Sequence, residues 1–88
     1  MRAVQVIIKG KVQEVCFRAT IEKLANEKNV KGFVRNHGKS VVAYFEGENE
    51  TVADMLEFCS IGPKEAKVTN IEITELSYEK TTEKFVVL

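Results

Sequence analysis

Arg18, Asn36, Glu14, Cys16 and His37 are the side chains whose types and spacing could do chemistry in this chain. Arg18 closes the run Gly10-Lys11-Val12-Gln13-Glu14-Val15-Cys16-Phe17-Arg18, which lies between an alternating apolar stretch and a helical one. A loop there leaves backbone N–H groups unpaired at a helix start, where the dipole adds partial positive charge and a guanidinium adds a planar fork of donors. That combination captures a phosphate or a similar oxyanion. The Asn36 carboxamide both donates and accepts, so it could hold a water beside such an anion, although Asn before His37 and Gly38 is also ordinary turn chemistry.

His37 is a lone loop histidine and receives no role. Cys16 and Cys59 lie far apart without C-x-x-C spacing and read as reduced thiols, Cys16 being the one placed near a helix N-terminus. With only His37 to join them, no metal site is expected. The acidic run from Glu46 to Glu50 reads as a solvated turn and helix start, so no cofactor is indicated.

The elements that must position these groups follow from periodicity. Val4, Val6 and Ile8 alternate with Gln5, Ile7 and Lys9, which predicts a strand ending at Gly10. Phe17, Ile21 and Leu24 fall on one helical stripe, predicting a helix from about Arg18 to Lys28, stopped at Asn29. Lys31 to Arg35 resumes extended structure, turns at Asn36-His37-Gly38-Lys39, and returns as an antiparallel strand from Ser40 to Glu46. Val52, Met55, Leu56 and Cys59 predict a second helix, capped by Asn49 or Thr51 and ended by Gly62-Pro63. Val68 to Leu76 forms a fourth strand, and Phe85 to Leu88 an apolar segment expected to pair at a sheet edge. This order closes as α+β: a ferredoxin-like α/β sandwich (βαββαβ), an antiparallel sheet with two helices on one face and a short C-terminal edge strand.

Size and charge narrow the function. The 88 residues, 44% hydrophobic, suffice for one domain spanning 1–88. Because 13 acidic and 13 basic side chains cancel, no general field draws in nucleic acid or an anionic membrane, and an anion must be caught locally. The apolar run at the N-terminus is too short for a signal sequence or membrane span, so a cytoplasmic location is expected. No large apolar surface is evident, so a monomer is expected.

The chain resembles the acylphosphatase family along nearly all its length. Gly10 to Arg18 matches that family's signature G-x-V-Q-G-V-x-F-R at all fixed positions except Glu14, which stands where the family has glycine. Gly32-Phe33-Val34-Arg35-Asn36 with Val41 and Gly47 resembles the second signature, and Gly62-Pro63-Lys64-Glu65-Ala66-Lys67-Val68 the G-P-x-x-A-x-V segment. The Asn36 to Val41 connection is one residue shorter than the family pattern. The resemblance implies hydrolysis of acyl phosphates to a carboxylate and inorganic phosphate, without metal, cofactor or covalent intermediate. It implies that Arg18 and the N–H groups of Gln13, Glu14, Val15, Cys16 and Phe17 bind the phosphate, and that Asn36 orients the attacking water. Glu14 is expected to weaken phosphate binding, through a β-carbon where positive φ is needed and a negative charge in an anion cradle.

Two other readings remain at this point. A non-catalytic anion-binding or interaction module would keep the cradle and lose turnover. An RNA-binding sheet shares the order of elements, but Lys31-Gly32-Phe33 matches its aromatic motif for only three residues and on the wrong strand.

Overall fold

In the computed structural model, which describes residues 1–88, β1 (Arg2–Lys11) leads through a loop into α1 (Phe17–Glu27). Next come β2 (Lys31–His37), β3 (Ser40–Gly47), α2 (Asn49–Ile61), β4 (Lys67–Leu76) and β5 (Phe85–Val87). The alternation read from β1 decides its two faces: Val4, Val6 and Ile8 are fully buried, while Gln5 and Ile7 are partly exposed on the other side. Val34 on β2 and Val41, Ala43 and Phe45 on β3 continue the apolar layer. Phe17, Ile21 and Ala25 from α1 and Val52, Met55 and Cys59 from α2 close over it. Each large side chain so buried contributes about 1.5–3 kcal/mol, which is why the helical stripes and the strand alternation fix the same core.

The sheet order is β4-β1-β3-β2-β5. The first four strands are antiparallel and β5 joins the outer side of β2 in parallel, with Gly32 opposite Phe85 and Val34 opposite Val87. This is the ferredoxin-like α+β sandwich expected from the sequence, with the closing segment at a sheet edge as expected.

Four local expectations are corrected, the last being the solvated setting read for Glu46, which is buried. β1 does not end at Gly10 but runs to Lys11 across a bulge between Lys9 and Gly10 in its pairing with β4. Gly10 has φ +125°, and a β-carbon there would lie 2.1 Å from the Lys67 carbonyl oxygen, so the close approach of β4 requires glycine. Asn36 is not a turn residue: it pairs with Val41 inside the β2–β3 ladder. Gly38 and Lys39 make the turn, with Gly38 supplying φ +59°. The N-cap of α2 is Glu48, whose extended backbone makes no side-chain capping bond, instead of Asn49 or Thr51. The Thr51 hydroxyl donates to the Glu48 carbonyl at 3.1 Å, which removes it from the capping role. Asn29, with φ +57°, stands just past α1 as read.

Glu46 is the one buried polar or charged side chain, 1% exposed on the sheet face away from the helices. Its carboxylate accepts from the Tyr44 hydroxyl, from the Thr81 N–H and hydroxyl at 3.0 and 2.9 Å, and from the Thr82 N–H at 3.2 Å. It therefore fastens the segment 77–84 that carries the chain from β4 to β5. Burial pushes its carboxyl up, but these donors outweigh that and hold it below the usual range.

Candidate anion site

Between β1 and α1 the backbone twice enters the left-handed region, at Glu14 (φ +62°) and at Cys16 (φ +61°). Left-handed residues set among ordinary ones turn successive N–H groups toward one side, as in an anion-binding nest. Cys16 is the N-cap of α1 and makes no side-chain capping bond. The first helical bond runs from the Thr20 N–H to the Cys16 carbonyl at 3.0 Å, and no backbone N–H of residues 13–19 finds an acceptor within the protein. These donors stand where the α1 dipole adds its positive end.

Arg18 begins the second position of α1 and is half-buried. Its Nη1 donates to the Leu88 carbonyl at 3.4 Å, and Leu88 is itself held by its N–H to the Val34 carbonyl at 2.9 Å. The remaining guanidinium N–H groups have no protein acceptor. A cleft of about 300 Å³ opens beside this arginine. Gln13, Glu14, Cys16, Phe17 and Arg18, all predicted from the sequence, line it, together with Val12, Ala19, Glu22 and Val87.

The predicted residues do not all serve in the same way. Val15 is buried in the core, so only its backbone is available to the loop. The Phe17 ring is 2% exposed and meets Phe58 edge-to-face at 5.8 Å, holding the start of α1 against α2. The Gln13 side chain is also engaged: Nε2 donates to the carbonyls of Gly38 at 2.8 Å and Ser40 at 2.9 Å. It ties the loop to the β2–β3 hairpin.

Asn36 is exposed and is not a lining residue of the cleft. Register defines its position. Val41 lies opposite both Ile8 on β1 and Asn36 on β2, so Asn36 stands two strands, about 10 Å, from the end of β1. It shares a face with Val34, and Val87, the β5 partner of Val34, lines the cleft. The Asn36 carboxamide has no partner in the protein, at the same end and on the same face as the loop.

Sequence reasoning missed Val12, Ala19, Glu22 and Val87 as lining residues. Glu22 was findable, because it follows Arg18 by four residues and so shares its helix face. Val87 was not, because its approach depends on β5 pairing in parallel with a strand about fifty residues earlier. The two thiols, read alike from the sequence, differ in the structure: Cys16 is exposed in the loop, whereas Cys59 is buried and its thiol is pushed up to about 12 by loss of hydration.

The fold and this loop define a class of small α+β sandwiches whose first strand-to-helix connection presents unpaired backbone N–H donors. The chain belongs to the acylphosphatase family: the acylphosphatase family model matches residues 4–87. An acylphosphatase of Pyrobaculum aerophilum is 40% identical over an alignment covering 100% of this chain and 95% of the relative. The crystal structure of acylphosphatase from Bacillus subtilis superposes with a TM-score of 0.93 at 27% identity, covering 100% of this chain and 99% of that one. An acylphosphatase structure from Coxiella burnetii superposes with a TM-score of 0.86 at 31% identity, covering 99% and 92%.

Proposed function

We propose that this chain hydrolyses the carboxyl-phosphate bond of small acyl phosphates, releasing a carboxylate and inorganic phosphate, with Arg18 and the loop N–H groups binding the phosphoryl oxygens and Asn36 orienting water. The observation that carries this reading is the row of unpaired N–H groups over residues 13–19, ending beside a guanidinium with free donors. Gln13, Val15 and Phe17 contribute through their main chain, since their side chains are engaged elsewhere; Glu14 and Cys16 contribute N–H groups from left-handed positions.

An acyl phosphate has a good leaving group, so positioning and charge stabilisation supply most of what phosphoryl transfer requires. Water held by Asn36 attacks phosphorus as the bond to the carboxyl oxygen breaks; the carboxylate departs and the water proton passes to a phosphate oxygen. In this reading Arg18 and the amide dipoles stabilise the charge that develops on the equatorial oxygens. No side-chain base, metal or cofactor is called on. The name acylphosphatase shared by the relatives favours turnover over a purely binding role. We further assign the reaction to a cytoplasmic monomer acting on a small molecule and not on nucleic acid or a membrane; no helix is long and apolar enough to cross a membrane.

Hydrolysis of benzoyl phosphate by the purified protein is the direct test. Turnover well above buffer is expected, together with protection of the loop amides by inorganic phosphate. Absence of turnover, or full activity in Asn36→Ala, would overturn the reading.

A further inference from the structure

We propose that the cleft selects acyl phosphates whose acyl group is uncharged or positively charged, and rejects those whose acyl group carries a second negative charge. This rests on the acylphosphatase reading above. Beyond the loop, the space left for the acyl group is walled by Ala19 and Val87, which are apolar, and by Glu22 one turn along α1 from Arg18. Glu14, in the loop, lines the same cleft.

Neither carboxylate is neutralised. The ion pairs of the protein are Arg2–Glu75, Lys9–Glu72 and Lys28–Asp54, and neither Glu14 nor Glu22 enters one or accepts a hydrogen bond. Arg18 is the only cationic side chain lining the cleft, and the phosphoryl group takes its free donors. The surroundings of the acyl group are then apolar and anionic. A neutral acyl group loses little there and gains contact with Val87 and Ala19. An anionic one faces Glu22 and Glu14. Charged groups that share a cleft of about 300 Å³ stand on the order of 8 Å apart. At that separation, after solvent screening, like charges still produce about a tenfold discrimination.

The test compares 4-methylbenzoyl phosphate with 4-carboxybenzoyl phosphate, near-isosteric substrates that differ by one negative charge. Each rate is corrected for spontaneous hydrolysis, and the ratio of kcat/KM values is taken within each variant, so that any general loss of activity cancels. The wild-type ratio should favour the methyl substrate by about tenfold at low ionic strength and narrow as salt is added. Glu22→Gln should reduce the ratio severalfold and Glu22→Lys should bring it to one or below; Glu14→Gln should reduce it independently. A wild-type ratio near one, or a ratio unmoved by both Glu22 variants, overturns the proposal while leaving the acylphosphatase reading intact. Hydrolysis of neither substrate overturns both.

Discussion

In the mechanism proposed above, Arg18 meets the substrate with most of its donors free, since the Leu88 carbonyl takes only one of its N–H groups, at 3.4 Å. Removing a preorganised donor of this kind costs about two to three orders of magnitude in rate, so Arg18→Ala should lower kcat/KM for benzoyl phosphate by about that factor and abolish phosphate protection of the loop. Arg18→Lys should recover little, since an ammonium cannot present a planar fork to two oxygens while keeping the Leu88 contact. Glu14 carries a separate expectation. Its φ of +62° costs a residue with a β-carbon about 1 kcal/mol relative to glycine. Glu14→Gly should therefore raise both the denaturant midpoint and kcat/KM, read by urea titration and by the benzoyl phosphate assay on the same preparation. The need for positive φ at this position was legible in the sequence, from the glycine that the family signature has there. That Glu22 shares a helix face with Arg18 was legible too, but the part proposed for it was not, because a helix-surface carboxylate acquires meaning only when a second element closes a cleft beside it.

The loop and the β2–β3 hairpin are separate elements joined by Gln13, whose amide bridges two hairpin carbonyls. Gln13→Ala should leave those carbonyls to solvent at modest cost in stability, about 1 kcal/mol, yet let the loop move against the strand that carries Asn36. The kinetic signature expected is a fall in kcat larger than the change in KM, since the orientation of water and not phosphate capture is disturbed. Most elements were legible because their apolar periods are clean: Val4-Val6-Ile8 admits only a strand, and Phe17-Ile21-Leu24 a helix. Asn36 was misplaced because Asn-His-Gly has turn chemistry at every position, and only the pairing of His37 with Ser40 moves the turn one residue on. The cap of α2 was misread for a related reason: Thr51 has the right side chain, but its hydroxyl bonds the carbonyl three residues back. Parallel pairing of β5 left no local trace, since four apolar residues fit either direction.

For the molecule as a whole, acid stability should depend on Glu46. Its carboxyl lies below the usual range in the folded protein, so at mildly acid pH the unfolded chain binds more protons. The stability it contributes is present above the ordinary glutamate value of about 4.3 and is lost as pH falls through its own lower value. Thermal unfolding from pH 7 to 3 should show this, and Glu46→Gln should flatten the profile while costing about 1–3 kcal/mol at neutral pH. The sequence placed Glu46 in a solvated run because composition cannot foresee that Thr81 and Thr82 return to cover it. The same return path affects how the protein reaches activity. Arg18 and Leu88 are 70 residues apart in sequence, and their contact forms only once β5 has paired with β2. Such distant closures come late, after helices and hairpins whose contacts are local. During refolding from urea, secondary structure should therefore return before benzoyl phosphate hydrolysis does, which makes catalysis itself a clock for the last strand to dock.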